Sequence, residues 1–211
     1  MTSRPCVAAL EGPCCAGKTT LARAMVQDLP GLAVAFAPCY ADHAGGGRFL
    51  PRQEARSIEE RQHALHQLLA VEAARLAGLP PGSDLILADR SVHTLLANSY
   101  ALEQMTGIGF LAPSERLLRA SPIPAWPDLV VYLDLPQHAL DERNNGKFAG
   151  GSIYTDARFN AAIRAYFRRL AGRESPRVAW LDATLDPAEL ARLTRALLHH
   201  AAAHRHIQGA V

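Results

Sequence analysis

Gly12-Pro13-Cys14-Cys15-Ala16-Gly17-Lys18-Thr19 matches the phosphate-loop pattern G-x-x-x-x-G-K-[ST] at every fixed position. It stands directly after a short apolar run, Val7 to Leu10, and directly before a helical pattern, which is the context that this pattern needs. Glycines let consecutive amides curl around phosphate oxygens at a helix N-terminus. Lys18 then brings an ammonium to the β- and γ-phosphates, and the Thr19 hydroxyl ligates Mg²⁺. The segment reads as a nucleoside triphosphate site.

Outward from this loop, the apolar period switches repeatedly between strand-like runs and helical stripes, as in alternating β and α elements. Val7 to Leu10, Leu32 to Ala37, Leu85 to Ala88, Leu129 to Leu135 and Val178 to Leu181 are short and almost continuously apolar, as strands buried on both faces of a parallel sheet should be. A helix is expected from Lys18 to Asp28, stopped by Pro30-Gly31. A second opens at Ser57-Ile58-Glu59-Glu60, where Ser57 and Glu60 form a capping box. Its stripe of Leu65, Leu68, Leu69 and Leu76 also carries Glu72, which reads either as a cleft carboxylate or as a partly exposed partner of a nearby Arg. Further helices are expected at Ser91–Met105, at Gln137–Arg143 and from Asp186-Pro187-Ala188-Glu189 onward. Residues 144–156 are polar, glycine-rich and aperiodic, and read as a mobile, lid-like loop.

The chain of 211 residues suits a single domain over its whole length, and it shows no internal repeat or linker. A net charge of +2 with both signs scattered argues against bulk nucleic-acid binding. No apolar run approaches the roughly 20 residues of a membrane span, and Met-Thr-Ser-Arg-Pro does not open a signal peptide, so a cytoplasmic location is expected. Cys6, Cys14, Cys15 and Cys39 are too crowded for a disulfide framework and read as reduced thiols. His199, His200, His204 and His206 trail among alanines without a carboxylate or Cys partner and are not assigned a metal.

Phosphoryl transfer also needs a carboxylate on the metal, and the third strand delivers Asp89 at its C-terminal edge, followed by Arg90. The guanine reader Asn-Lys-x-Asp, the transporter signature and the protein-kinase loops are missing. The chain resembles the thymidylate kinase and deoxynucleoside kinase branch of the P-loop kinases. Glu11-Gly12 leading into Ala16-Gly17-Lys18-Thr19-Thr20 is similar to that branch's phosphate loop, and Asp89-Arg90-Ser91 to its Asp-Arg-aromatic or Glu-Arg-Ser motif. Pro127 to Asp134 resembles its fourth strand, and Leu181-Asp182-Ala183 its adenine-side end.

The resemblance implies a three-layer α/β/α domain with a five-stranded parallel sheet in the order 2-3-1-4-5 and a lid at about residues 143–158. It implies ATP and Mg²⁺ as cofactors. Gly12, Pro13, Cys14, Cys15, Ala16, Gly17, Lys18, Thr19, Thr20, Asp182 and Ala183 would bind the nucleotide, Thr19 and Asp89 the metal. Lys18, Asp89, Arg90 and the lid residue Arg143 would be catalytic, with Lys147 and Arg158 as further lid cations. Arg75, Thr94 and Asn98 would face the acceptor.

The chain departs from both branches after the second strand. It reads Phe36-Ala37-Pro38-Cys39-Tyr40-Ala41-Asp42, where relatives carry Arg-Glu-Pro-Gly or Glu-Pro. Asp42, Glu72, Asp89 or no residue at all stays open as general base. The expected activity is transfer of the ATP γ-phosphate to a small-molecule acceptor, here a nucleoside monophosphate. A nucleoside, a hydroxylated metabolite such as an antibiotic, and a nucleotide-dependent switch without turnover stay open, as does a homodimer. Reactive thiols are expected at Cys14 or Cys15, where loop amides and Lys18 make the potential positive.

Overall fold

A computed structural model describes residues 4–148 and 152–208, with side chains described up to His204. The five strands are β1 (Cys6–Glu11), β2 (Val34–Ala37), β3 (Leu85–Asp89), β4 (Leu129–Asp134) and β5 (Arg177–Asp182). They form one parallel sheet in the order β2-β3-β1-β4-β5, as expected. The helices are α1 (Lys18–Gln27), α2 (Tyr40–His43), α3 (Ile58–Ala77), α4 (Val92–Thr106), α5 (Leu111–Ala120), α6 (Gln137–Asn144), α7 (Ala157–Ala171) and α8 (Pro187–Gln208).

The two-residue period of β4 shows how the layers form. Leu129, Val131 and Leu133 point into a core shared with α1 and α8, while Val130 and Tyr132 point into the opposite core under α3, α4 and α7. Central strands β1 and β4 are buried almost throughout, but β2 and β5 are partly exposed. They are the edges of the sheet, with one neighbour each. The first helix reached from β1 crosses to β2 on one side, and the chain later reaches β4 on the other. The crevice at the C-terminal ends of β1 and β3 is therefore a topological switch point, where an open α/β sheet binds its ligands.

Helices α2, α5 and α7 were not among the elements expected from the sequence. The signal for α7 was present: Asp156 caps it by accepting from the Arg158 and Phe159 amides, and Phe159, Ile163, Tyr166, Phe167 and Leu170 form its buried stripe. It takes the last residues of the lid expected at about 143–158, while the loop expected at 144–156 runs between α6 and α7 and contains a short turn at Ile153–Thr155; residues 149–151 lie outside the described residues. The capping box also shifts. Ser57 Oγ accepts from the Glu60 amide at 3.2 Å, but Glu60 reaches back to the Arg56 amide at 2.8 Å rather than to Ser57. The C-terminal histidines sit within α8 rather than trailing from it, and His200 packs against His204 with ring centroids 4.2 Å apart. No group of three His, Cys, Asp or Glu among the described residues could hold a metal.

Candidate active site

The loop between β1 and α1 lies on the floor of a cleft of about 870 Å³. Gly12 has φ +136°, and a Cβ there would meet the Leu133 carbonyl oxygen at 2.4 Å, so only glycine lets the loop leave β1 against β4. Gly17, at φ +86°, is the N-cap of α1, which has no side-chain cap and no acidic residue in its first turn. The first amides of α1 are thus left for an anion, with the helix dipole behind them. Lys18 is buried and donates to the Pro13 carbonyl at 2.5 Å. Burial, aided by the Arg90 charge, pulls its pKa down to about 8.

Thr19 Oγ1 donates to Asp89 Oδ2 at 2.5 Å, while Oδ1 of the same carboxylate, 1% exposed, has no hydrogen-bond partner. An orphaned buried carboxylate oxygen is costly unless a cation meets it. A hydroxyl beside a carboxylate is also the hard oxygen pair that Mg²⁺ accepts. The residues present fit that ion.

Behind these groups stands a polar scaffold that spacing alone did not reveal. Glu11 is buried; its Oε1 accepts from the Ser91 amide and hydroxyl at 2.8 and 2.7 Å, and its Oε2 from Thr94 Oγ1 at 2.5 Å. Burial raises its pKa, and those bonds together with the Arg90 charge pull against it. Arg90 adopts the left-handed conformation, φ +69°, which a residue with a side chain holds only when its surroundings enforce it. Here its carbonyl accepts from Arg75 Nη2 at 2.7 Å and its amide donates to the Leu10 carbonyl at 3.1 Å. The result aims its guanidinium over the phosphate loop, at 3.4 Å from the Gly12 carbonyl and 3.7 Å from Cys14 Sγ.

Two expectations change at this point. Glu72 is neither a cleft carboxylate nor partly exposed: it is 1% exposed and ion-paired to Arg75 Nε at 2.6 Å. Arg75 does not line the cleft: it is buried, donates to the Pro38, Asp89 and Arg90 carbonyls, and its guanidinium lies over the Tyr40 ring at 4.2 Å. It clamps the strand ends that carry the site.

The chain superposes on a thymidylate kinase from Candida albicans, whose structure is described as revealing the origin of broad substrate specificity and a novel structural element. The TM-score is 0.67, the sequence identity 17%, and the match covers 95% of this chain and 93% of that one. This is a thymidylate kinase fold. No family model and no curated protein matches the sequence.

Within this thymidylate kinase fold, Arg143 and Lys147 line the cleft from the α6 side, whereas Arg158 is exposed on α7 and does not line it. Arg143 donates to the Ala183 carbonyl at 3.0 Å, which ties α6 to the end of β5. Asp182 and Ala183 lie outside the cleft lining; Asp182 is exposed and accepts from the Thr184 amide and hydroxyl, which hold its carboxyl low. Asp42 is exposed on α2 at the cleft rim. Sequence reasoning missed Gln53, Arg48, Arg52 and Arg61, which lie in or beside an irregular stretch without a period to mark it.

All four cysteines are free. Burial first, and then Cys14, raise the Cys15 pKa, against the pull of Lys147, Lys18 and Arg143. The expectation of a lowered value therefore does not hold for Cys15. Cys14 Sγ faces Arg90, inside the space that a phosphate would use. Methyl methanethiosulfonate is expected to block nucleotide binding slowly through Cys14, with Cys14→Ser resistant and Mg²⁺-ATP protective. Equal labelling with and without nucleotide would contradict this placement.

Proposed function

We propose that the protein transfers the γ-phosphate of ATP to a nucleoside monophosphate. The observation that carries this reading is the balance of charge in the cleft. Lys18, Arg48, Arg52, Arg90, Arg143 and Lys147 line it against Glu11, Asp42, Glu54 and Asp89. An alcohol acceptor needs a base to take its proton, and the carboxylates beside the phosphate loop have other tasks. Glu11 accepts three hydrogen bonds, and Asp89 accepts from Thr19 through Oδ2 and would give Oδ1 to the metal. Glu72 is locked against Arg75, and Asp42 and Glu54 are exposed at the rim. A phosphate acceptor is already anionic, needs no base and is drawn by the surplus cations.

In this reading the α1 amides and Lys18 hold the β- and γ-phosphates, and Arg90 holds the acceptor phosphate in line with them. Thr19 and Asp89 would hold Mg²⁺, which supplies neutralisation of the charge that builds on the transferring group. Arg143 and Lys147 add positive charge from the lid side.

Arg90→Gln tests the choice of acceptor. With a dianionic acceptor phosphate the variant should raise the acceptor KM by about tenfold or more and also lower kcat. With an uncharged nucleoside the change should fall on kcat alone, through the donor phosphates. An unchanged acceptor KM on the best acceptor would contradict the monophosphate.

A further inference from the structure

Between α2 and α3, Gly45-Gly46-Gly47-Arg48-Phe49-Leu50-Pro51-Arg52 carries side chains and glycines that this conformation does not use. Gly45 and Gly46 hold φ +79° and +133°, which glycine adopts without strain. Gly47 has no such φ, and a Cβ there would meet nothing within 4 Å. Glycine costs chain entropy on ordering, so one that neither the local turn nor packing requires points to a second conformation of the segment. Phe49 is 59% exposed, more than any other large apolar side chain among the described residues, and lies outside the cleft lining. It meets the Arg48 guanidinium, 4.7 Å from its ring centroid. Arg48 and Arg52 are exposed and line the cleft, and neither has an ion-pair partner among the described residues.

Both ends of the segment are held. The Gly46 amide donates to the Ala41 carbonyl at 2.8 Å, next to the buried Tyr40. Gln53 is buried, donates to the Pro51 carbonyl and accepts from Asn98, each at 3.0 Å. Between these anchors only the bonds from the Phe49 and Leu50 amides to the Gly46 and Gly47 carbonyls, each at 3.1 Å, shape the chain. The segment follows β2, and the lid joins α6 to α7 after β4, so the two approach the phosphate loop from opposite sides of β1. From the lid, Phe148 and Tyr154 line the cleft with ring centroids 5.8 Å apart.

We propose that residues 47–52 form a second lid, hinged at Gly46-Gly47, that closes when Arg48 and Arg52 meet the anionic group of the acceptor and carries Phe49 against Phe148 and Tyr154. The proposal rests on the monophosphate reading for the identity of that anion. ATP does not trigger it, because its phosphates are held by the α1 amides and Lys18. Closure then waits for the second substrate, which completes the site.

Trypsin cleavage of the Arg48–Phe49 bond is timed on the wild-type protein alone, with Mg²⁺-ATP, with each deoxynucleoside 5′-monophosphate and with each matching nucleoside. At least one monophosphate is expected to slow the cut by about tenfold or more, and Mg²⁺-ATP and the nucleosides by less than about twofold, since cleavage follows the population of the open form. Trp introduced by Phe49→Trp should shift its emission to the blue with the same monophosphate. Adding Arg48→Gln and Arg52→Gln should abolish that shift and raise the acceptor KM by about tenfold or more, with the ATP KM within about twofold. Gly47→Ala fits the observed conformation, so it should keep or slightly raise the melting temperature. It should nevertheless raise the acceptor KM by about fivefold or more, because the hinge is stiffened. A static loop would leave that KM unchanged.

A bond that no monophosphate protects, or a Gly47→Ala variant with the acceptor KM of the wild type, overturns the proposal. A monophosphate that protects the bond without being phosphorylated keeps the second lid and defeats the monophosphate reading. One that is phosphorylated without protecting the bond does the reverse.

Discussion

Lys18→Met is expected to lower phosphoryl transfer by about three orders of magnitude or more while making the unliganded protein more stable at pH 7. The loss follows from removing a point charge that meets the phosphates in a site where little water screens it. The gain follows from burial. The Lys18 pKa falls from 10.5 to about 8 on folding. Below pH 8 both folded and unfolded chains carry the proton, and the folded state bears the full cost of a buried ammonium. Between pH 8 and 10.5 the folded lysine is neutral while the unfolded one is still charged, so stability rises with pH across that window. Methionine removes the cost and forfeits only the bond to Pro13, so the melting temperature should rise by roughly 2–4 °C for each kcal/mol recovered. The same lysine makes triphosphate affinity fall by up to about tenfold per pH unit above pH 8, because the neutral amine must take up a proton to bind. Thermal melts and nucleotide titrations on wild type and variant check all three. A variant less stable than wild type at pH 7 would contradict the burial argument.

Arg75→Met is expected to cost about 3–5 kcal/mol of folding stability. It strands the Glu72 carboxylate at 1% exposure and strips donors from the Pro38, Asp89 and Arg90 carbonyls. The pair Glu72→Leu with Arg75→Met should regain much of that loss, because no buried charge is then left alone. Activity should not return with stability in the double variant, since the clamp on the left-handed Arg90 carbonyl is still missing. Urea unfolding gives the first quantity and steady-state kinetics the second. A single variant as stable as wild type would show that the ion pair contributes nothing.

These two residues also mark where sequence reasoning reaches and where it stops. Lys18 was legible because the phosphate loop is a local motif: eight consecutive residues carry the glycines, the charge and the hydroxyl, and the strand before it announces itself by apolar continuity. The sheet order followed from resemblance to a family, and β1, β3 and β4 followed from runs that only a twice-covered strand can carry. Arg75 was assigned to the acceptor by family resemblance alone, whereas its fate depends on Glu72 one turn earlier and on carbonyls at the ends of two other elements. Such closure is three-dimensional and leaves no period in the chain.

The acceptor side was illegible for a similar reason. Gln53 stands outside any helix or strand and meets Arg61 and Asn98, which are 8 and 45 positions away. Helix α7, by contrast, was readable from Asp156 and its apolar stripe, and the glycine-rich approach at residues 144–152 drew attention away from it. Phe159, Ile163 and Phe167 from that helix form part of the cleft wall.

Product analysis of the wild-type protein with Mg²⁺-ATP tests the central claim most directly. The protein is incubated with each deoxynucleoside 5′-monophosphate, with each matching nucleoside and with a set of hydroxylated metabolites, and the products are separated by anion exchange. The expected result is stoichiometric ADP and nucleoside diphosphate from at least one monophosphate, at a rate well above that of any nucleoside or alcohol. Formation of a nucleoside monophosphate or a phosphorylated metabolite, with no diphosphate from any monophosphate, would contradict it.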